Sequence, residues 1–206
     1  MSLNWIYSHR GLWNSIEDQN SLYSIEKSTE FGFSTEIDLR IHNSEIFIKH
    51  DPLNQNETSI QIEKIIPFKK SFALNLKSDG ISHYLQNYTN EIIESNSFVF
   101  DGSIPEMFQY KQKSIPHALR LSEYESQIPW EVDYLWVDGF QSDWWLKDKN
   151  FNNYLDKYNL IFVSPEIHKR DYKEAWEWIL NKRQSGYLNL SICTDKPIEL
   201  REMSRK

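Results

Sequence analysis

Between Thr35 and His42 the chain alternates without a break, with Ile37, Leu39 and Ile41 on one face and Glu36, Asp38, Arg40 and His42 on the other. Residues two apart on a strand project to the same side roughly 6.5 Å apart, so Glu36 and Asp38 can clasp one hard cation between their carboxylates. The same alternation marks any half-buried strand with one wet face, so the pair alone decides nothing. The flanking segments add weight. One apolar run ends in Ser8-His9-Arg10-Gly11, Asn20-Ser21 opens a helical segment, and His50-Asp51-Pro52 closes a short run that follows the alternating strand.

In that order, these segments resemble the glycerophosphodiester phosphodiesterase family, within the phosphatidylinositol-phospholipase-C-like barrel superfamily, whose pattern runs His-Arg-Gly, Glu-Asn-Thr, Glu-x-Asp, His-Asp-Pro. Further on, Ala73-Leu74-Asn75-Leu76-Lys77 looks like the family's third-strand Glu-x-Lys segment. Phe100-Asp101-Gly102-Ser103-Ile104-Pro105, Leu121-Ser122-Glu123-Tyr124-Glu125, Val163-Ser164-Pro165-Glu166 and Cys193-Thr194-Asp195 are similar to a divergent bacterial subgroup, which extends the likeness over most of the chain. The resemblance implies a hydrolase of glycerophosphodiesters or related small phosphodiesters. It implies His9 as base and His50 as acid, since imidazole titrates near neutral pH. Arg10 and Lys77 would hold the phosphate, the first as a planar fork and the second as a point charge. Glu36, Asp38 and the residue at Asn75 would hold one Mg²⁺ or Ca²⁺ that polarises a phosphate oxygen.

Three departures qualify that expectation. Asn75 stands where the third carboxylate belongs; an amide oxygen coordinates a hard cation without adding charge, so weaker metal binding is expected. Asp79, Asp101, Glu123 and Glu166 are the acids that would have to compensate. Glu17-Asp18-Gln19 replaces the family's Pro-Glu, and Leu53 to Pro67 leaves little room for the inserted cap of some relatives. Two rival readings follow: a metal-independent phospholyase making a cyclic phosphate, and a degenerate barrel binding a phosphorylated sugar, lipid or protein partner without turnover.

The elements that must position these residues alternate between strand and helix. Short β-rich runs fall at Trp5 to Ser8, Thr35 to Ile41, Phe72 to Leu76, Phe98 to Phe100, Ala118 to Leu121, Tyr134 to Val137, Leu160 to Val163 and Leu188 to Ile192. An extra run, Ile46 to Lys49, is expected to pair back on the second strand. Helical spacing joins Leu22, Ile25 and Thr29, then Ile81, Tyr84, Leu85 and Tyr88, then Trp176, Ile179 and Leu180 within Asp171 to Arg183. Eight strands in 206 residues allow about 26 residues per unit, so the expectation is a compact α/β fold: one (β/α)8 TIM barrel domain over residues 1–206. The apolar runs repeatedly finish in polar residues, and strand ends form the functional face of such a barrel. Asp101, Arg120, Glu123, Glu166 and Trp144 are therefore candidates to touch substrate; Asp138 and Asp195 suit either function or loop capping.

The balance of 23 Lys+Arg against 30 Asp+Glu gives −7, the wrong sign for binding nucleic acid through overall charge. No run reaches about 18 apolar residues and no basic-then-apolar leader opens the chain, so a cytoplasmic protein without an integral membrane segment is expected. Cys193 is the sole cysteine, which excludes an intrachain disulfide and favours a buried strand thiol. His42, His83, His117 and His168 show no ligand spacing and are read as structural or exposed; Trp144-Trp145 suits packing as well as stacking on a sugar or head group.

Overall fold

The computed structural model describes residues 4–54, 59–66 and 70–205. Its ten strands are β1 (Ile6–His9), β2 (Ser34–His42), β3 (Glu45–Ile48), β4 (Ile60–Gln61), β5 (Phe72–Leu76), β6 (Phe98–Phe100), β7 (Ala118–Leu121), β8 (Tyr134–Val137), β9 (Asn159–Val163) and β10 (Leu190–Thr194). Eight of them are parallel neighbours in the order β6-β5-β2-β1-β10-β9-β8-β7. The remaining edges meet at one parallel bridge, Val99 to His117, where the Val99 N–H donates to the Pro116 carbonyl at 3.0 Å. The expected (β/α)8 barrel is thus present, with a seam between β6 and β7 far thinner than its other ladders.

β3 lies outside the ring as the expected hairpin, antiparallel to β2. Asn43 and Ser44, both at positive φ, make the two-residue turn, a geometry that matches the twist of the flanking strands. β4 adds antiparallel to β3. Residues 55–58 and 67 of the segment expected to lack a cap lie outside the described residues.

Alternation along the strands builds two cores. Side chains facing into the barrel include Tyr7, Ala73, Phe98, Phe100, Trp136, Val163 and Cys193. Those facing out, among them Ile37, Leu74, Leu119, Leu135, Phe162 and Ile192, pack with Ile25, Met107, Trp176 and Ile179 of the surrounding helices. Aromatic rings plug the interior, Phe98 stacking on Tyr134 at 4.8 Å and Phe100 on Trp136 at 3.8 Å. Each such buried ring contributes about 1.5–3 kcal/mol, and these two pairs span the thin seam from β6 to β8.

Three expected elements shift. The last strand begins at Leu190 rather than Leu188, because Gly186, at φ 109°, turns the chain and leaves Leu188 73% exposed. The Asn189 amide then caps the Leu155 and Tyr158 carbonyls at 2.6 Å. The helical spacing of Ile81 to Tyr88 becomes a short helix, Ser82–Leu85, a 3₁₀ turn, Gln86–Tyr88, and a second helix, Thr89–Glu94. The third helix runs Lys173–Gln184, starting after Asp171, whose carboxylate accepts from the Lys173 N–H.

Candidate active site

Parallel register gathers the site at the C-terminal ends of β1, β2 and β5. His9 lies opposite Glu36, and Asp38 opposite Asn75, so four inward side chains from three strands share one patch of the barrel mouth. Glu36 and Asp38 are fully buried. Asn20 grips Asp38 twice, its Nδ2 donating to Oδ2 at 2.8 Å and its Oδ1 accepting the Asp38 N–H at 3.1 Å.

Around the two carboxylates stand cations. Arg10 Nε lies 2.9 Å from Asp38 Oδ2, its Nη1 donates to Gln19 Oε1 at 3.0 Å, and its backbone N–H donates to Glu36 Oε2 at 3.1 Å. Lys77 Nζ is 3.4 Å from Asp38 Oδ1 and 3.9 Å from Asp101 Oδ2. Arg10 holds a left-handed backbone, φ 57°, which a non-glycine residue adopts at a cost of order 1–3 kcal/mol and which concentrates at functional sites. Its carbonyl is held by the Asn20 N–H and by Ser24 Oγ. The next residue must be glycine: Gly11 sits at φ 89°, and a Cβ there would meet Ser24 Oγ at 2.5 Å.

His9 is oriented from behind. Its Nδ1–H donates to Asp195 Oδ1 at 2.7 Å, which leaves Nε2 directed toward Glu36 Oε2, 3.9 Å away. Burial pulls the imidazole pKa down, but the Asp195 hydrogen bond and the charges of Glu36 and Asp195 outweigh it, and the net shift is upward. Burial pushes Glu36 up as well, reinforced by Asp38 and opposed by His9, Lys77 and Arg10. Asp195 is itself anchored. Glu166 accepts the Asp195 N–H at 3.1 Å and the hydroxyls of Thr194 and Ser164, and Ser164 Oγ accepts from Trp176 Nε1 at 2.7 Å.

The other expected residues are distributed as follows. His50 sits at the end of the β3 hairpin, its side chain 45% exposed and its Nδ1 bonded to Asp51 at 2.8 Å; the Arg40 Nε–H donates to its carbonyl. Asp101, at φ 71°, pairs with Arg120, and Arg120 Nη1 reaches Glu125 Oε2 at 3.4 Å. Glu123 gathers the N–H groups of Phe140, Gln141 and Ser142 at 3.0–3.1 Å; desolvation raises its pKa, but its own backbone N–H and those three bonds outweigh it and lower the value. Trp144 donates to the Asp138 carbonyl at 2.8 Å and packs on Phe151, and Asp79 accepts from Ser103. Cys193 is the buried strand thiol expected, its pKa pushed well up by burial.

Four partners escape a reading of the sequence: Gln19 on Arg10, the Asn20 clamp on Asp38, Asp195 behind His9, and His168, whose Nε2 pairs with Asp138 Oδ1 at 2.7 Å. Asn20 carries its signal only as the residue before a helix, and Asp195 only as an acid at a strand end.

A cation would find oxygen donors here. Asp38 Oδ1 and Asn75 Oδ1 are buried with no hydrogen-bond partner, beside Glu36, and both are hard ligands of the type Mg²⁺ and Ca²⁺ take. Among the described residues no group of three or more His, Cys, Asp or Glu is arranged to hold a metal, because the third position is an amide that donates Nδ2–H to Glu36 Oε1 at 3.1 Å. The residues fit an ion held by two carboxylates and an amide, in competition with Lys77 for Asp38.

No protein-family model matches the sequence, and no curated protein matches it significantly. Solved structures match the fold. A glycerophosphodiester phosphodiesterase from Agrobacterium tumefaciens superposes with TM-score 0.69 at 11% identity, covering 98% of this chain and 99% of that one. A glycerophosphoryl diester phosphodiesterase from Parabacteroides distasonis gives 0.56 at 16% identity, covering 97% and 85%. No helix among the described residues is long and apolar enough to cross a membrane.

Proposed function

We propose that this chain cleaves a small phosphodiester, of the glycerophosphodiester type, at the mouth of its barrel. The observation that carries the reading is the convergence of an Asp195-oriented His9 with Arg10 and Lys77 around buried carboxylates on adjacent strand ends. A diester phosphate brings negative charge that Arg10 and Lys77 are placed to neutralise, and their charge stabilises the phosphoryl oxygens as bonding shifts. His9 Nε2 takes the proton from the attacking oxygen, and Asp195 stabilises the imidazolium that forms. His50 gives a proton to the departing alcohol oxygen as the P–O bond breaks. Glu36, Asp38 and Asn75 would hold a divalent cation, which supplies Lewis-acid polarisation of a phosphoryl oxygen when bound.

The test is cleavage of glycerophosphocholine, glycerophosphoethanolamine, lysophospholipids and a chromogenic diester, with Mg²⁺, Ca²⁺ or chelator, by wild type and His9→Ala. The expected result is metal-stimulated turnover that falls about 10²–10⁴-fold in His9→Ala. Turnover indifferent to His9→Ala overturns the assignment, and silence across the panel with phosphate still bound favours a barrel that binds without catalysis.

A metal-independent phospholyase is the second reading, favoured by the amide at Asn75 and by the pairing of Asp38 with two protein cations. Phosphorus NMR separates the two: a persistent cyclic phosphate insensitive to chelator supports the lyase, and a fully hydrolysed, metal-stimulated product supports the hydrolase.

A further inference from the structure

Behind the proposed base lies a carboxylate that no step of the proposed reaction uses. Glu166 stands in the 3₁₀ turn Pro165–His168, which follows β9 directly. The turn is closed at both ends: the Pro165 ring fixes φ where it opens, the Arg170 N–H returns to the Pro165 carbonyl at 3.0 Å, and Lys169 leaves it at φ 60°. From this platform the Glu166 carboxylate reaches across to the end of β10. Its Oε1 accepts the Thr194 hydroxyl and, at 3.1 Å, the Asp195 N–H, and its Oε2 accepts the Ser164 hydroxyl. Ser164 Oγ is itself fixed by Trp176 Nε1 at 2.7 Å, and Trp176 is fully buried in the helix Lys173–Gln184.

Asp195 needs such a hold because the sheet does not give it one. β10 ends at Thr194, which pairs with Ser8 of β1, and the ladder to β9 stops one residue earlier, at Cys193 and Val163. The Asp195 N–H lies beyond both ladders, and Glu166 is its acceptor. The Asp195 side chain is 25% exposed, so packing alone does not immobilise it. Yet its Oδ1 meets His9 Nδ1 at 2.7 Å, the bond that sets which ring nitrogen faces the mouth. Thr194 Oγ1, which donates to Glu166, also accepts the Lys196 N–H at 2.9 Å, so Glu166 Oε1 steadies the backbone on both sides of Asp195. Both Glu166 oxygens are engaged by donors of the protein, and the carboxylate therefore acts on the segment that carries Asp195.

We propose that Glu166 is a positioning residue, whose oxygens hold the backbone of residues 194–196 so that the Asp195 carboxylate stands in line with His9 Nδ1. It acts through where its oxygens lie and not through its charge. The role of His9 as base rests on the phosphodiesterase reading; the hold on Asp195 does not. Loss of the hold lets Asp195 drift and the imidazole turn, and a misplacement of about 1 Å at a reacting group costs about 10²-fold in rate. Arg10 and Lys77, the groups proposed to hold phosphate, are untouched by it, so the loss falls on kcat and not on KM.

Two substitutions in the full chain separate reach from charge. Glu166→Gln drops the charge and keeps an acceptor oxygen at full reach, whereas Glu166→Asp keeps the charge on a side chain one methylene shorter. On the best diester of the panel, Glu166→Gln is expected to stay within about threefold of the wild-type kcat, and Glu166→Asp to lose about 10–10²-fold in kcat with KM within about twofold. A second readout needs no turnover. The downfield proton NMR signal of His9 Nδ1–H, assigned by its absence in His9→Ala, is expected to persist in Glu166→Gln and to be lost to exchange or to move upfield in Glu166→Asp. On an Asp195→Ala background, Glu166→Asp is expected to lower kcat no further, because its effect runs through Asp195. An active Glu166→Asp beside an impaired Glu166→Gln overturns positioning in favour of charge. A loss of kcat in Glu166→Asp with the His9 signal unchanged, or an equal loss on the Asp195→Ala background, overturns the route through Asp195. A fall in Tm alone, with kcat and the His9 signal as in wild type, reduces Glu166 to a structural brace and overturns the proposal too. A signal kept in Glu166→Gln and lost in Glu166→Asp, with no diester turned over by wild type, upholds the hold on Asp195 and overturns the phosphodiesterase reading.

Discussion

Glutamates stand on opposite sides of the barrel mouth in contrasting company. On the β1-β2-β5 side, Glu36 is fully buried, shares its surroundings with a second carboxylate, and faces His9 and the Arg10 backbone N–H. On the β7-β8 side, Glu123 is partly exposed and collects three successive backbone N–H groups of the loop after β8. Glu166, after β9, likewise accepts from Ser164, Thr194 and the Asp195 N–H. The residue type is the same; Glu36 lies within β2, Glu123 and Glu166 lie just past the ends of β7 and β9, and the partners differ. A buried carboxylate beside a second carboxylate and surrounded by cationic groups is of the kind that can hold a metal ion, whereas one satisfied by hydroxyl and backbone donors braces a loop.

The largest effect that would break this contrast is on catalysis. Lys77→Met removes a cation proposed to face the phosphate and leaves Asp38 with less neutralisation. Turnover of the best diester is expected to drop about 10²–10³-fold, read as kcat/KM. Glu123→Gln is expected to keep turnover within about twofold while lowering stability by about 1–2 kcal/mol, read as a denaturant midpoint. If Glu123→Gln cost turnover as heavily as Lys77→Met, the two sides would not differ in kind.

Acid and base stability sharpen the contrast further, because the two glutamates are shifted in opposite directions. Glu123 is depressed, so it contributes stability above the ordinary carboxylate range that is lost as pH falls through its lowered value. Glu36 is raised, so its contribution is complete below the ordinary carboxylate range and is lost as pH rises through its raised value. In Tm measured across pH, Glu123→Gln should flatten the acid limb. Glu36→Gln should be the more stable protein relative to wild type on the neutral side of that window, where wild type must keep a buried charge. The smallest effect concerns His9. Asp195→Asn keeps an acceptor for Nδ1–H but removes the negative charge that helps hold the His9 pKa up, and the imidazole titration followed by proton NMR should move downward, with the acid limb of kcat/KM moving the same way. The stability from that charged pairing is present below the ordinary imidazole value and is lost as pH rises through the elevated one.

Much of this arrangement was legible before any fold was known. The motifs from Ser8 to Pro52 are local, and each β-rich run overlaps a strand of the ring, because inward-outward alternation writes itself into residue order. Alternation alone puts Glu36 and Asp38 on one face; His9, Arg10 and Lys77 join them as candidates through the resemblance of their motifs to the glycerophosphodiester phosphodiesterase pattern. The supports of these residues follow from neither. Asp195 is 186 positions from His9 and becomes its neighbour only when β10 pairs with β1. Asn20 reads as a helix opener, and its grip on Asp38 depends on a left-handed backbone at φ 58° that residue types alone do not dictate. Leu188 fits a strand pattern, yet pairing begins only at Leu190 because partners, not propensity, set where a ladder starts.

The seam between β6 and β7 gives the barrel a mechanical character of its own. Seven of its eight junctions are ladders of several bonds, and the eighth is one bridge flanked by the Asp101–Arg120 ion pair and the stacked rings of Phe100 and Trp136. The cylinder is thin along one side and held shut there by side chains and a single backbone bridge. Its softest mode of deformation is therefore a small spreading of that side, which makes the amides bordering it the first of the barrel strands to exchange with solvent.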